Sequence, residues 1–181
     1  MRIVAGQWRG RTLSAPSGTT TRPTADRVRQ ALFDILLHAP WAGRDCIDDA
    51  VVLDVFAGTG AIGLESLSRG AARVTFIEQD RAALAALRAN IAACRAEARC
   101  EVLAMDVARV PAGEPASLVF LDPPYGQGLV ESALKRLRVA NRIAPGALVV
   151  AECGRDEPAL VIDPLAERTH GAARITVWRA T

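Results

Sequence analysis

The sequence predicts an α/β fold: a mostly parallel β-sheet with helices on both faces and an antiparallel hairpin at its end. Two observations support this prediction. From residue 51 onwards, short apolar runs alternate with segments of helical periodicity, which is typical of a doubly wound parallel sheet. The tail 165–179 instead has a Gly171 turn between two extended pieces, which favours a closing hairpin with an antiparallel strand.

The N-terminal segment precedes this alternation. The stretch RIVAGQWRGRTLSAP (2–16) has strand-like pieces around its glycines and predicts a small β-hairpin. Thr24 can cap the next helix, which Pro40 ends. The apolar residues of this helix recur at helical spacing: Val28, Ala31, Leu32, Ile35 and Leu36. We therefore divide the chain into a basic hairpin extension over 1–20 and a single domain over 21–181.

Five strands and three further helices are predicted beyond this first helix. The strands are 51–56, 73–78, 100–105, 117–122 and 147–152. The first of these helices runs from Ala61 to Arg69 and is closed by Gly70, and the last covers 129–139. Asp80 can cap the middle helix. An apolar stripe predicts the buried face of that helix: Leu84, Leu87, Ile91 and Cys94.

Length and composition limit the class of protein. A chain of 181 residues that is 50% apolar can bury the core of one domain of ordinary size. No apolar run is long enough to cross a membrane and the N-terminus has no continuous apolar segment, so we expect a cytoplasmic protein. The 4 cysteines form no C-x-x-C pair and the 2 histidines lie far apart, so no metal site is predicted.

The net charge is only +2, but it is unevenly distributed. Residues 1–29 carry six arginines and one aspartate, which leaves the rest of the chain slightly acidic. A basic arm on an acidic body suggests an anionic partner such as nucleic acid. Lys135 is the sole lysine among 22 basic residues, so a general preference for arginine is the alternative explanation.

The loop DVFAGTGAIG (54–63) follows the first predicted strand of the alternating region. Gly58, Gly60 and Gly63 form a G-x-G-x-x-G pattern, whose glycines allow a tight turn and a close approach of ligand to backbone. Glu78 ends the second strand, where an acid that binds a ribose hydroxyl belongs. This pattern by itself fits either NAD or S-adenosylmethionine.

Three details favour S-adenosylmethionine. Asp54 precedes the glycines, where its carboxylate would repel a pyrophosphate but attract a cationic amino group. Phe56 and Ala57 lengthen the turn beyond a minimal phosphate loop. Asp106 follows the third strand and can accept a hydrogen bond from an adenine amino group. The alternative for Asp106 is a plain turn or capping role.

The stretch LDPPYG (121–126) follows the fourth strand, at the sheet edge where open α/β folds bind ligands. The amino group of a nucleobase is a poor nucleophile, so acceptors must hold its hydrogens while it is aimed at a methyl donor. Asp122 can supply one acceptor and the Pro123 carbonyl another, in a turn that Pro124 also stiffens. Tyr125 offers a flat face on which an extruded base can stack. The alternative is a sharp turn without a chemical role.

Four stretches together resemble a known family. D-P-P-Y after a glycine loop is similar to the motif of amino-group methyltransferases that act on adenine, cytosine or guanine. Over nearly the whole chain, the sequence resembles the RsmD family of bacterial methyltransferases, which modify the guanine N2 amino group of 16S ribosomal RNA. The stretches that carry this resemblance are RIVAGQWRGRTL, RPTADRVRQALFDIL, DVFAGTGAIGLESLSRGA and LDPPYG.

The resemblance implies a class I methyltransferase (Rossmann-like) fold, S-adenosylmethionine as donor, and the 16S rRNA of the small ribosomal subunit or its assembly intermediate as acceptor. The implied catalytic motif is Asp122, Pro123, Pro124 and Tyr125. The cofactor site that we predict contains Asp54, Phe56, Gly58, Thr59, Gly60, Glu78 and Asp106. Arg22 and Thr24 fall in the RPT segment, with Thr24 assigned to the cofactor and Arg22 assigned, with Arg9 and Arg11, to RNA. Ala5 stands where many relatives have glycine.

Three rival functions remain open. A methyltransferase could act on DNA adenine or on a protein glutamine, although glutamine-modifying relatives typically carry asparagine where Asp122 stands. A sequence-specific DNA enzyme would usually need a larger target-reading region than this chain can spare. An NAD-dependent oxidoreductase fits the glycines and Glu78 but leaves 122–125 unexplained. A non-catalytic RNA-binding assembly factor explains the arginine-rich arm alone.

Overall fold

The computed structural model describes residues 1–16, 23–42 and 46–181, and the side chains of 23–28 and 170 are outside this description. In the described residues, a seven-stranded sheet is flanked by four α-helices. The elements are α1 (Pro23–His38), β1 (Val51–Val55), α2 (Ala61–Ser68), β2 (Arg73–Glu78), α3 (Arg81–Cys94), β3 (Cys100–Ala104), β4 (Ala116–Leu121), α4 (Leu129–Val139), β5 (Ile143–Gly154), β6 (Ala166–His170) and β7 (Ala173–Arg179).

The sheet has the order β3-β2-β1-β4-β5-β7-β6. Strands β1 to β5 are parallel, whereas β7 is antiparallel to both β5 and β6. The predicted mostly parallel sheet with a closing antiparallel hairpin is therefore confirmed. The chain winds outwards in opposite directions from β1 and β4, so a crevice opens at the carboxyl ends of these two strands, where open α/β sheets bind ligands.

Hydrophobic residues form one core on each face of the sheet. Phe33 of α1 and Leu64 of α2 belong to the first core, and Leu137 of α4 to the second. The predicted face of α3 is confirmed, because its whole apolar stripe is buried: Leu84, Leu87, Ile91 and Cys94. Asp80 caps α3 as predicted, with its side chain accepting a hydrogen bond of 2.8 Å from the Ala83 amide.

Two elements, α1 and β5, depart from their predicted bounds by more than one residue. Helix α1 already includes Pro23, so Thr24 lies inside the helix and its predicted capping role is wrong. Proline is favoured in the first turn because its φ is preset and its missing N–H would have no helical partner there. Strand β5 extends to Gly154, because it pairs with β7 as far as the Gly154–Ala173 position. Apolar patterning marks only the buried middle of such a strand.

The N-terminal residues form a tight hairpin against α2. One antiparallel bridge joins Arg2 to Thr12, and the side chains of Ile3 and Leu13 are buried in the first core. The Glu65 carboxylate of α2 accepts hydrogen bonds from the amides of Val4 and Ala5, at 2.7 and 3.0 Å. The hairpin is thus held by side chains of the sheet-containing body.

Within the described ranges, no helix is both long and apolar enough to cross a membrane.

Candidate active site

A cavity of about 490 Å³ lies at the carboxyl ends of the parallel strands. It brings together residues that follow four of them: Phe56 after β1, Glu78 at the end of β2, Asp106 after β3, and Asp122 after β4. Pro123 and Pro124 also line it. Six of the predicted site residues therefore share one cavity, although they are spread over some seventy positions of the sequence.

The glycine loop requires glycine for two physical reasons. Gly58 and Gly60 have φ angles of 54° and 77°, in the left-handed region that favours glycine. A Cβ atom on Gly63 would lie 2.3 Å from the Phe76 ring, so this glycine lets α2 approach β2 closely. Phe56 also has a positive φ of 62°, a strained conformation for a bulky residue beside a binding cavity.

Glu78 fixes the glycine loop as well as lining the cavity. Its Oε2 accepts a hydrogen bond of 2.7 Å from the Gly58 amide, and its Oε1 accepts bonds of 2.8 Å from the Gln79 and Asp80 amides. Each carboxylate oxygen can accept more than one hydrogen bond, so a ribose hydroxyl can still be bound. The sequence predicted the ligand role but not the loop contact.

Asp54 lies beneath the loop rather than on its surface. It is 2% exposed, and its Oδ2 accepts a bond of 2.9 Å from the Gly63 amide. Burial raises the pKa of Asp54 to about 8; the Gly63 bond opposes this, and the nearby Asp122 and Glu78 carboxylates add to it. A cationic ligand group in this region would stabilise the ionised form of Asp54 and so lower its pKa.

Asp106 has the capping role that we weighed as an alternative. Its Oδ1 accepts a hydrogen bond of 2.9 Å from the Ala108 amide and so begins a short 3₁₀ turn, Val107–Arg109. Asp106 also lines the cavity. The two roles are compatible, because capping uses only one of its oxygens.

The Asp-Pro-Pro-Tyr-Gly turn is held at both ends. The Asp122 amide donates to the Val55 carbonyl of β1 at 3.3 Å, and the Gly126 amide donates to Oε1 of Glu157 at 2.8 Å. Glu157 also accepts a 2.9 Å bond from the Gly154 amide, so it ties the turn to the end of β5. These bonds lower the pKa of Glu157. No sequence pattern pointed to Glu157.

Asp122, the acid of the predicted catalytic motif, lines the cavity and has part of its side chain exposed. Restricted hydration by the surrounding protein, together with the negative charge of Glu152, raises its pKa to about 7. A carboxylate with this pKa can both accept a hydrogen bond and take up a proton near neutral pH. Glu152, near the end of β5, was not among the predicted site residues.

Tyr125 is 44% exposed, so a face of its ring is accessible for stacking. Its hydroxyl donates a hydrogen bond to Oε1 of Glu152, and desolvation together with this carboxylate raises the tyrosine pKa. The sequence predicted only a stacking role for the ring of Tyr125, and the hydrogen bond from its hydroxyl to Glu152 was not predicted.

Two of the three predicted RNA-binding arginines lie in the described hairpin. Arg9 is exposed and, with Arg2, lines a surface cavity of about 440 Å³ beside α1 and α2. Arg11 donates to the Ala93 carbonyl near the end of α3. Arg22 lies outside the described residues, as does the side chain of Thr24.

Asn90 connects this hairpin segment to the glycine loop, and sequence reasoning missed it. It is 1% exposed, and its Oδ1 accepts a 2.7 Å bond from the Ser14 amide. Its Nδ2 donates to the carbonyls of Ser14 and Thr59, each at 3.0 Å. An asparagine within the apolar face of α3 was the available signal, because a buried amide needs partners.

Comparison with known proteins agrees with this architecture. A model of the family described as conserved hypothetical protein 95 matches residues 1–179. The chain is 44% identical over 154 residues to ribosomal RNA small subunit methyltransferase D of Escherichia coli K12, covering 84% of this chain and 74% of that protein. It is 36% identical over 188 residues to the protein of the same name from Haemophilus influenzae, covering 99% and 93%.

Solved structures show the same fold. The Escherichia coli protein yhhF has a TM-score of 0.84 and 38% identity, covering 99% of this chain and 97% of that one. An RNA methyltransferase from Salinibacter ruber in complex with S-adenosyl-L-homocysteine has a TM-score of 0.58 at 22% identity, covering 89% and 92%. The fold is therefore that of class I methyltransferases, and the chain belongs to the conserved hypothetical protein 95 family, the RsmD family that the sequence resembles.

Proposed function

We propose that this protein transfers a methyl group from S-adenosylmethionine to the N2 amino group of a guanine in the 16S rRNA of the small ribosomal subunit. Family membership supports S-adenosylmethionine-dependent methylation of ribosomal RNA. The guanine N2 acceptor is the finer part of the proposal. The observation that supports transfer to a base amino group is Asp122, a proton-accepting carboxylate at the edge of a cavity suited to this donor, whereas the choice of guanine N2 rests on the resemblance to the RsmD family.

The cavity suits a cationic ligand. Glu78, Asp80, Asp106 and Asp122 all line it, so the pyrophosphate of NAD would meet four carboxylates and be repelled. S-adenosylmethionine has a sulfonium, an ammonium group, ribose hydroxyls and an adenine amino group, all of which a carboxylate can attract or accept a hydrogen bond from. The residues present therefore fit this donor better than a dinucleotide.

Within that site, Glu78 would hold the ribose hydroxyls and Asp106 the adenine amino group, while Asp54 would favour the ammonium group from beneath the loop. S-adenosylmethionine supplies an electrophilic methyl group on its sulfonium. Asp122 and the Pro123 carbonyl would hold the two hydrogens of the acceptor amino group and so aim the nitrogen lone pair. As the nitrogen–carbon bond forms, the carbon–sulfur bond breaks with its electron pair left on sulfur. Asp122 would then take the proton that the amino group loses.

Ligand titration tests the donor assignment. S-adenosylhomocysteine is expected to bind the wild-type protein in calorimetry, whereas NAD is not. Glu78→Ala should weaken S-adenosylhomocysteine binding about tenfold to hundredfold, because it removes hydrogen bonds to a charged acceptor and loosens the Gly58 amide. The exposed Glu97→Ala serves as the matched control and should bind normally. Equal affinities of the Glu78→Ala and wild-type proteins would rule out the ribose role of Glu78.

Tyr125 is expected to act through both its ring and its hydroxyl. Tyr125→Ala should lower kcat/KM about tenfold to hundredfold, since base stacking contributes roughly 1–3 kcal/mol. Tyr125→Phe keeps the ring but loses the bond to Glu152, so a smaller loss of about threefold to tenfold is expected. Methylation of undermethylated small subunits measures both variants. If Tyr125→Phe lowered kcat/KM as much as Tyr125→Ala does, stacking would not be the main role of Tyr125.

The hairpin arginines are expected to bind RNA phosphates. Replacing Arg9 or Arg11 by glutamine should weaken RNA binding and reduce the slope of log affinity against log salt by about one unit each. The exposed Arg138 of α4, which packs on the opposite face of the sheet from the hairpin, offers a matched control. Filter binding at several salt concentrations would measure the slopes. If the Arg9 and Arg11 variants kept the wild-type slope, their charges would not be neutralising phosphates.

A further inference from the structure

Glu152 occupies the same level of the sheet as Asp122. Strands β4 and β5 are parallel neighbours, and Leu121 of one pairs with Ala151 of the other. The next residues along the two strands are Asp122 and Glu152. They follow the paired positions on adjacent strands, and their charges interact. Because neighbouring strands lie only about 4.8 Å apart, two carboxylates at this level can approach one ligand edge together.

A second cavity is lined by Asp122 and Glu152 and by residues of α1 and α2. It is small, about 20 Å³, and is lined by Asp122 and Glu152 together with Leu32 of α1 and Ile62 of α2. Asp122 also lines the larger cavity assigned to the methyl donor. The small cavity has room for one water-sized group, such as an exocyclic amino group, but not for a whole base. Asp122 thus lines both the donor cavity and a space of amino-group size.

Tyr125 orients Glu152 towards this space. The tyrosine hydroxyl donates to Oε1 of Glu152. The other oxygen, Oε2, has no hydrogen bond within the part of the chain that the structure describes, although Glu152 is half-buried. The carboxylate of a half-buried residue is stabilised when each of its oxygens accepts a hydrogen bond. A ligand that donates one hydrogen to Oε2 of Glu152 and another to Asp122 would therefore give both carboxylates a hydrogen-bond partner.

Guanine differs from adenine and cytosine in the edge it would present here. On guanine, the N1–H donor is adjacent to the N2 amino donor, so the edge offers hydrogens to two neighbouring acceptors. On adenine and cytosine, the ring nitrogen beside the amino group is an acceptor, whose lone pair would face a carboxylate oxygen. We propose that Glu152 is a specificity-determining residue whose Oε2 accepts the guanine N1–H while Asp122 accepts an N2 hydrogen. This inference rests on the proposed function.

A base analogue tests the N1 contact directly. In 2,6-diaminopurine the 2-amino group is kept, but N1 is an acceptor instead of a donor. The target guanine is first mapped with the wild-type enzyme, and small subunits are then reconstituted with guanine or 2,6-diaminopurine at that position. Initial rates at limiting RNA give the ratio of kcat/KM for the two bases. The ratio is measured for the wild type, for Glu152→Gln, and for Glu167→Gln, which makes the same chemical change on the exposed edge strand β6.

For the wild type and the Glu167→Gln control, kcat/KM is expected to be about a hundredfold or more higher for guanine than for 2,6-diaminopurine. The analogue loses the hydrogen bond from N1–H, and the lone pair on its N1 faces the negative charge of the Glu152 carboxylate. Glu152→Gln should reduce the preference to within about tenfold, since its amide can donate to N1 of the analogue or accept from guanine. The two bases also differ at other atoms, but those differences affect the wild type and the variant alike. The change in the kcat/KM ratio between wild type and Glu152→Gln therefore measures the contact between Glu152 and N1 alone. A structural role for Glu152 would lower both rates equally and leave the ratio unchanged.

The outcomes separate this inference from the proposed function. If the wild type forms no N2-methylguanine, the proposed function is wrong and the role of Glu152 falls with it. If the wild type forms N2-methylguanine but Glu152→Gln keeps the full preference, only the role of Glu152 is wrong. S-adenosylhomocysteine binding checks that the variant is folded. If it is not, Glu152→Asp takes its place, because the shorter side chain withdraws the acceptor and should also narrow the preference.

Discussion

Replacing Asp122 by alanine is expected to reduce the rate of methyl transfer about a hundredfold to ten-thousandfold, the usual contribution of a positioned proton acceptor. Binding of S-adenosylhomocysteine should remain within about threefold of wild type, because Asp122 is proposed to hold the acceptor amino group rather than the donor. Single-turnover methylation of undermethylated small subunits gives the rate, and calorimetry gives the affinity. An equal loss of both would instead make Asp122 a cofactor ligand.

Titration of Asp122 gives this prediction a pH signature. Its pKa is raised to about 7, so its ionised fraction falls as the pH drops below 7. The wild-type rate should therefore decline by up to about tenfold per pH unit on the acid side. Asp122→Asn keeps an acceptor oxygen that does not titrate, so its lower rate should be nearly independent of pH there. The rates are measured at a saturating concentration of S-adenosylmethionine. Ionisation of Asp54, whose pKa is raised to about 8, then does not affect the measured rate through donor binding. A parallel acid decline in both proteins would assign the titration elsewhere.

Glu65→Ala is expected to cause the largest loss of stability, about 3–5 kcal/mol in the free energy of unfolding. Glu65 is fully buried, and besides the amides of Val4 and Ala5 it binds Arg69 at 2.8 Å. Its removal takes the acceptor from two amides and leaves buried guanidinium charge without its counterion. Arg29 of α1 lies 3.6 Å from the same carboxylate and is affected too.

Urea unfolding measures this loss, with the exposed Glu131→Ala of α4 as the matched control. That surface change should stay within about 0.5 kcal/mol of wild type. Glu65→Gln should fall between the two, because the amide oxygen still accepts one bond while its NH₂ group faces a backbone donor. A midpoint for Glu65→Ala equal to that of the control would mean that the hairpin is not held through this carboxylate.

The sequence predicted most of the fold because local signals and global packing agree in this chain. Asp80 was recognised as the cap of α3, and the stripe from Leu84 to Cys94 as its buried face, since both patterns depend on residues within one helix. The full length of β5 was not predictable, because its end at Gly154 is set by pairing with β7. The Thr24 cap failed because Pro23 already begins the helix.

The candidate site was predictable wherever a residue follows a strand of the sheet. Glu78, Asp106 and Asp122 end or follow their strands and were found in this way, and Glu152, the last residue of the predicted fifth strand 147–152, ends its predicted strand as well. Glu65 could not be found, because its partners Val4 and Ala5 lie about sixty positions away and contribute only backbone amides. Glu157 was missed for a similar reason, since it binds the amides of Gly126 and Gly154.

The most direct measurement is transfer of tritiated methyl from S-adenosylmethionine to small ribosomal subunits from a strain that lacks this enzyme, followed by nucleoside analysis of the 16S rRNA. We predict a single labelled nucleoside, N2-methylguanosine, that is absent when Asp122→Ala replaces the wild type. Label in N6-methyladenosine or in a methylated cytidine, or no transfer to the RNA by a protein that binds S-adenosylhomocysteine, would contradict the proposed function.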